Sequence, residues 1–353
     1  MEAPQGRALA GRLARLVERG GPIPVSLFMA YANAHYYATR DPLGVDGDFI
    51  TAPEISQVFG ELVGLWCADM IMRSGDAGPV ALVELGPGRG TLMADVLRAL
   101  ARFGVMAEPH MVETSPVLRD LQAAAVPLAR FHDDGTTLPT DQPLVVIANE
   151  FFDALPIRQL VRAPSGWRER MVDINDGQFS FVVGDVAMDG AVPVELVDAP
   201  DGAILESSPA SVAVARDLCD SIARQGGALL VIDYGYAKLS TGETLQAVAN
   251  HQFATVLDEP GTCDLTAHVD FGAIGAVASA AGLTVAGPVG QGAFLRRLGL
   301  DERTGALAAK HPGRAQALSI ERDRLANADQ MGMLFKVLAM VALGWPAPEG
   351  FGG

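Results

Sequence analysis

A chain of 353 residues, 49% of them hydrophobic, is long enough for one elaborated domain or two modest ones around a large core. Its formal net charge of −16 penalises approach to phosphate backbones and anionic lipid, which argues against nucleic acid or a membrane surface as partner. Cys67, Cys219 and Cys263 are far apart and the six histidines lack metal-ligand spacing, which argues against a disulfide framework or a zinc site; no strongly apolar run reaches the about 18 residues of a membrane span.

Residues 7–19 place Leu9, Leu13, Leu16 and Val17 on one helical face, with arginines elsewhere. A mitochondrial transit peptide has this pattern, but Glu2 and Glu18 count against it, and a signal peptide's central apolar segment is missing. A docking helix in a cytoplasmic protein is expected. A second helical pattern over 25–37 leads into the stretch GDFITAPEIS at 47–56. Thr51 or Ser56 caps the next helix, because Val58, Phe59, Leu62, Val63 and Trp66 then recur at helical spacing.

The chain is organised around residues 80–97. An apolar run over 80–83 stops at Glu84 and breaks into Gly86-Pro87-Gly88-Arg89-Gly90, after which Leu92, Met93, Val96 and Leu97 follow a helical period. Strand, glycine turn and helix open a nucleotide-binding α/β domain. A dinucleotide fingerprint requires Gly or Ala where this chain has Thr91. The pattern is instead Glu-x-Gly-x-Gly-x-Gly, which resembles the S-adenosylmethionine (SAM) loop of class I methyltransferases.

A second strand ends at Glu113, where a carboxylate accepts hydrogen bonds from both hydroxyls of a ribose. A third ends near Asp133, which is placed to accept from an adenine amino group. A fourth, over 143–148, runs into Asn149-Glu150-Phe151-Phe152-Asp153. In an open parallel sheet that segment faces the same crevice as the glycine loop. Two readings stay open here: a reacting site, or Asn149 and Asp153 capping the next turn while the phenylalanines pack in the core.

Over 158–183 the pattern changes to three short strands, with a hairpin signal at Asn175-Asp176-Gly177. This antiparallel patch is expected to be an insertion that shapes a substrate site. Glu206-Ser207-Ser208-Pro209 opens a helix through Cys219, and a fifth buried strand ends in Asp233-Tyr234. The chain is then loop-rich from Thr244 to Asp264 and helical through Ala281. The segments 285–289 and 293–298 read as a closing strand pair, and the tail reads as helical through 331–338.

The segments GDFITAPEISQVFGE (47–61), ELGPGRGTLMADVLR (84–98), ETSPVLR (113–119), ANEFFDALPIRQL (148–160), DYGY (233–236), DLTAHVDF (264–271), QGAFLRRLG (291–299) and MGMLFKVL (331–338) occur in the order of one family. On these the chain resembles the MidA-like methyltransferases, whose mitochondrial members help assemble respiratory complex I. The resemblance implies a doubly wound α/β class I core with a mostly parallel seven-stranded sheet. It implies a helical region and cofactor lid over 1–78, a core over 79–353, a β-rich insertion near 157–226 and a helical tail near 300–345.

It further implies SAM as methyl donor and an arginine of a client protein, such as a complex I subunit, as acceptor. By the same resemblance Gly86, Pro87, Gly88 and Gly90 line the SAM loop, Glu113 with Thr114 holds the ribose, and Asp133 sits by the adenine. Asn149 and Glu150 stand at the reacting end, and the 47–56 segment, with Asp48 and Thr51, covers the cofactor. A guanidinium needs carboxylates to hold it, so Glu150 and Asp153 are the candidates to orient the acceptor, with Glu206 and Asp270 in reserve. A non-catalytic assembly factor that keeps the SAM fold and a small-molecule methyltransferase are the rival readings. A homodimer is left open.

Overall fold

The apolar runs pair into one eight-stranded sheet. The computed structural model describes residues 3–352 apart from 40, 42, 43, 45, 46, 49, 76, 77, 250 and 251; Glu2 and Phe49 thus lie outside the described residues. From one edge the strands are Thr284–Gly290, Phe335–Val341, Gly227–Tyr236, Leu144–Asn149, Ala81–Leu85, Glu108–Val112 and Arg130–His132, with Val269–Asp270 pairing beside Gly227–Tyr236. Phe335–Val341 is antiparallel to both neighbours, and the other pairs are parallel. This is the mostly parallel, doubly wound sheet expected from the glycine loop.

The central strands are buried on both faces, which is why they read as continuous apolar runs. Leu82, Val145, Ile147 and Leu230 pack one face against helices Gln57–Ser74 and Thr91–Arg102. Val83, Val146, Leu229 and Val231 pack the other against Pro209–Gln225 and Phe271–Ala280. Each such side chain contributes about 1.5–3 kcal/mol by leaving water. The register sets Leu85 beside both Val112 and Ala148. The chain therefore leaves the sheet at Gly86, Glu113 and Glu150 along one edge, the edge where parallel sheets bind ligands.

Strands Gly166–Asn175, Arg158–Ala163 and Ile204–Ser207 form an antiparallel sheet that Ile23–Pro24 joins from the N-terminal region, with Gln178–Ala187 on the outer side of Gly166–Asn175. Asn175 pairs with Gln178, and Asp176 and Gly177 take the positive φ angles, 51° and 78°, of a two-residue hairpin turn. Helices Ala3–Gly20 and Val25–Thr39 pack through Leu9, Leu13, Val17, Phe28 and Met29 against Val172 of this sheet and against Leu265, which lies in a separate strand. Leu16, read on the same face, is instead 39% exposed.

Three expectations are corrected. Phe335–Val341 is a strand and not the end of a helix. After Lys336 its apolar run carries no period, so it reads equally as buried helix or buried strand, and only insertion between two strands decides it. The segment read as a strand at 293–298 is the helix Gln291–Arg297, which buries Phe294 and Leu295 and exposes Arg296. The loop-rich stretch after Thr244 holds a three-stranded sheet of Gln246–Ala249, Gln252–Ala254 and Asp264–Thr266. Helix Pro209–Gln225 packs its Ala215, Leu218, Cys219 and Ile222 on the central sheet.

Candidate cofactor and acceptor site

Gly86, Gly88 and Gly90 have φ angles of 57°, 53° and 81°, a backbone region that costs other residues about 1–2 kcal/mol. A Cβ on Gly86 would stand 3.0 Å from the Phe151 ring. The Gly90 N–H donates to the Pro87 carbonyl at 2.7 Å, turning the chain into helix Thr91–Arg102. Gly86, Pro87 and Gly88 line a cavity of about 1000 Å³. Gly90 shapes the turn without reaching the cavity wall.

Glu113, Thr114, Asp133, Asn149, Glu150 and Thr51 line the same cavity, so the structure brings most of the sequence-predicted site together. Glu113 is buried. Its Oε1 accepts from the Ser115 N–H at 2.7 Å and its Oε2 from the Gln122 amide at 3.2 Å, and Gln122 also donates to the Gly88 carbonyl at 2.7 Å. A carboxylate has about four acceptor positions, so two remain for hydroxyl donors. Asp133 is 82% exposed and is held by Arg119 at 2.7 Å.

At the other strand end, Glu150 takes a left-handed φ of 51°, a conformation worth roughly 1–3 kcal/mol of strain. Its N–H donates to the Ile232 carbonyl at 2.9 Å, and its Oε1 accepts from the Ala52 N–H at 3.0 Å and the Asn149 amide at 3.1 Å. Burial pushes its carboxyl up to about 7. Asn149 Oδ1 is a buried acceptor without a donor. So is Oε2 of Glu84, which also lines the cavity and which burial pushes up to about 8. A cradle of positive-φ glycines, the Glu113 carboxylate and the orphaned Glu84 oxygen fit a nucleoside carrying an amino-acid tail. Glu84 was legible as the acid that ends the first strand, but nothing in the sequence marked it as unpaired.

Four acids behave otherwise. Asp153 is buried but off the cavity wall, hydrogen-bonded by the Tyr234 side chain, and burial raises it to about 6. Asp48 is likewise off the wall and accepts from the Tyr36 hydroxyl at 2.5 Å. Glu206 accepts from the Gln159 amide at 2.7 Å and from the Leu245 N–H at 3.2 Å, and Asp270 caps the helix Phe271–Ala280. The reserve acids are therefore structural. The turn after the fourth strand is capped neither by Asn149 nor by Asp153. Asp233 caps it, Oδ2 accepting from the N–H groups of Phe151, Phe152 and Asp153 at 3.2, 3.0 and 3.2 Å. Phe152 is core, as one reading held.

The segment that carries Asp41 and Glu54 is tied to the glycine loop. Arg89 Nε donates to Asp41 at 2.8 Å, and the Thr91 hydroxyl donates to Glu54 at 2.5 Å. Ser56, not Thr51, supplies the side-chain cap of helix Gln57–Ser74. Sequence reasoning missed the place of helix Val25–Thr39 in the site, where Ala30, Asn33, Ala34 and Tyr37 roof the cavity.

The model of a family described as an S-adenosyl-L-methionine-dependent methyltransferase matches residues 62–289. The chain belongs to this family. It is a SAM-dependent methyltransferase. It is 36% identical to a Danio rerio protein named protein arginine methyltransferase NDUFAF7, mitochondrial, over 95% of this chain and 87% of that one. The Homo sapiens protein of the same name is 36% identical over 92% of this chain and 81% of its own length. A Burkholderia thailandensis crystal structure with S-adenosyl-homocysteine bound matches at a TM-score of 0.86 and 28% identity, covering 99% of this chain and 96% of that one. The expectation of a cytoplasmic protein is corrected by these relatives, which are named mitochondrial. Among the described residues no helix is long and apolar enough to cross a membrane.

Proposed function

We propose that this methyltransferase transfers a methyl group from SAM to a guanidinium nitrogen of an arginine in a client protein, such as a respiratory complex I subunit. The observation that carries the proposal is Glu150: a half-buried carboxylate on the cavity wall, held by Ala52 and Asn149, beside an orphaned amide oxygen. The names of the relatives support it.

SAM supplies an electrophilic methyl on a sulfonium. The glycine loop, Glu113, Thr114 and Asp133 would hold its nucleoside, and Glu84 would accept from its ammonium group. A guanidinium is always protonated in water, and only acceptors arranged in its plane orient it. Glu150 and Asn149 Oδ1 provide such acceptors. The raised carboxyl of Glu150 also takes up the proton that the nitrogen sheds on methylation. Asp153 acts behind it, as part of the support for the 150–156 turn.

The test is transfer of labelled methyl from SAM to short arginine peptides, followed by acid hydrolysis to identify the labelled amino acid. Label in methylarginine is expected, and Glu150→Gln should lower the rate roughly a hundredfold with SAM binding retained. Undiminished transfer in that variant would remove Glu150 from the reaction. Saturable SAM binding without turnover would favour the scaffold.

A further inference from the structure

Helix Val25–Thr39 precedes the matched segment 62–289, yet it contributes Ala30, Asn33, Ala34 and Tyr37 to the wall shared by the glycine loop and Glu150. These positions recur at helical spacing and form one face. The two polar members are fixed. Asn33 donates from Nδ2 to the carbonyls of Ala154 at 2.9 Å and Leu265 at 2.7 Å, and its Oδ1 accepts from the Leu265 N–H at 3.1 Å. The Tyr37 hydroxyl donates to Asp264 at 2.9 Å. These bonds hold the helix at a set height over the loop after Glu150.

The two small members leave room. Ala34 is exposed and Ala30 half-buried, while Ala154, Leu155 and Pro156 on the loop are also half-buried and line the same cavity. The cavity therefore reaches solvent beside apolar side chains from the helix and from the loop. On its wall stand Glu150 and Asn149; Asn149 is only 8% exposed and its Oδ1 lacks a donor. An orphaned acceptor calls for a ligand rich in donors. At about 1000 Å³ the space matches the upper end of small-molecule sites, about 300–1,000 Å³, which leaves room for a second reactant beside the cofactor.

We infer that the acceptor side chain enters through the slot between Ala30 and Ala34 on the helix and Ala154 to Pro156 on the loop, and that the two alanines set its width. The inference rests on the arginine reading under Proposed function. An unbranched methylene stem lies against the apolar walls, and a flat head that only donates meets Glu150 and Asn149. Specificity for the acceptor is thus carried by a helix outside the segment that identifies the family.

The test uses the full chain with Ala34→Trp and, as a second route to the same block, Ala30→Leu. Methyl transfer is measured to peptides carrying a single arginine, lysine or glutamine, and S-adenosyl-homocysteine affinity is measured by calorimetry. Both variants should lose arginine transfer by roughly fiftyfold while the cofactor product binds as in wild type. Tyr31→Trp, at an exposed position off the wall, should transfer normally. Normal transfer by both alanine variants overturns the slot and leaves the arginine reading standing. A parallel loss of cofactor affinity also overturns it, because the alanines would then border the cofactor. Wild-type transfer to lysine or glutamine that is blocked by Ala34→Trp keeps the slot and overturns the arginine reading. No transfer to any peptide overturns both.

Discussion

Glu84, Glu150 and Asp264 are acids that burial holds near or above neutrality, at about 8, 7 and 8. Their unfolded pKa values are near 4, so ionising them costs the folded state more than the unfolded one. For groups raised on folding, stability is highest at low pH and falls as pH rises toward the folded pKa. His110, lowered to about 4 by burial and by His132, acts in the opposite sense, but only below about 6.5. The urea midpoint should therefore fall between about pH 6.5 and 8.5, and Glu84→Gln should flatten that fall. A midpoint that rises with pH over this window would contradict the placement of these acids. The sequence marked Glu84 and Glu150 as strand-end acids. It could not mark how far they are taken out of water, which depends on how the rest of the chain packs around them.

Asp233 shows what an element-scale contact adds. One carboxylate oxygen ends a turn of three residues that lie about 80 positions earlier in the chain. Each buried N–H left without an acceptor costs about 1–3 kcal/mol, so Asp233→Ala should destabilise the fold by at least about 3 kcal/mol and slow methyl transfer by displacing Glu150. A urea midpoint unchanged in that variant would rule out the cap. The tie to the glycine loop is weaker. Arg89 and Asp41 are part-exposed, so breaking that pair should cost no more than about 1 kcal/mol. The parallel strands were legible because apolar runs stop at Glu84, Glu113 and Asn149. Phe335–Val341 was not, because its apolar run has no period and its antiparallel place is set by two distant partners.

The molecule as a whole carries a net charge of −16, which would steer the proposed cationic acceptor toward the site. Raising salt from about 50 to about 500 mM shortens the screening length severalfold, so kcat/KM for an arginine peptide should fall while kcat holds. Equal loss in kcat would place the salt effect in the chemistry. At this scale the sequence also left most unsaid. The glycine loop and the strand-end residues were readable because they are contiguous motifs. The roof was not, because helix Val25–Thr39 becomes part of the site only through Asn33 and Tyr37, bonded more than 100 residues away.

The most direct test of the account is calorimetric titration with SAM of the wild type, Gly88→Val and Glu113→Ala. The wild type should show one saturable site. Gly88→Val should abolish it by forcing a branched side chain onto a left-handed backbone. Glu113→Ala should weaken it roughly a hundredfold through the loss of charge-assisted hydrogen bonds. A well-folded wild type that binds no SAM, or variants that bind it as tightly as the wild type, would contradict the placement of the cofactor between the glycine loop and Glu113.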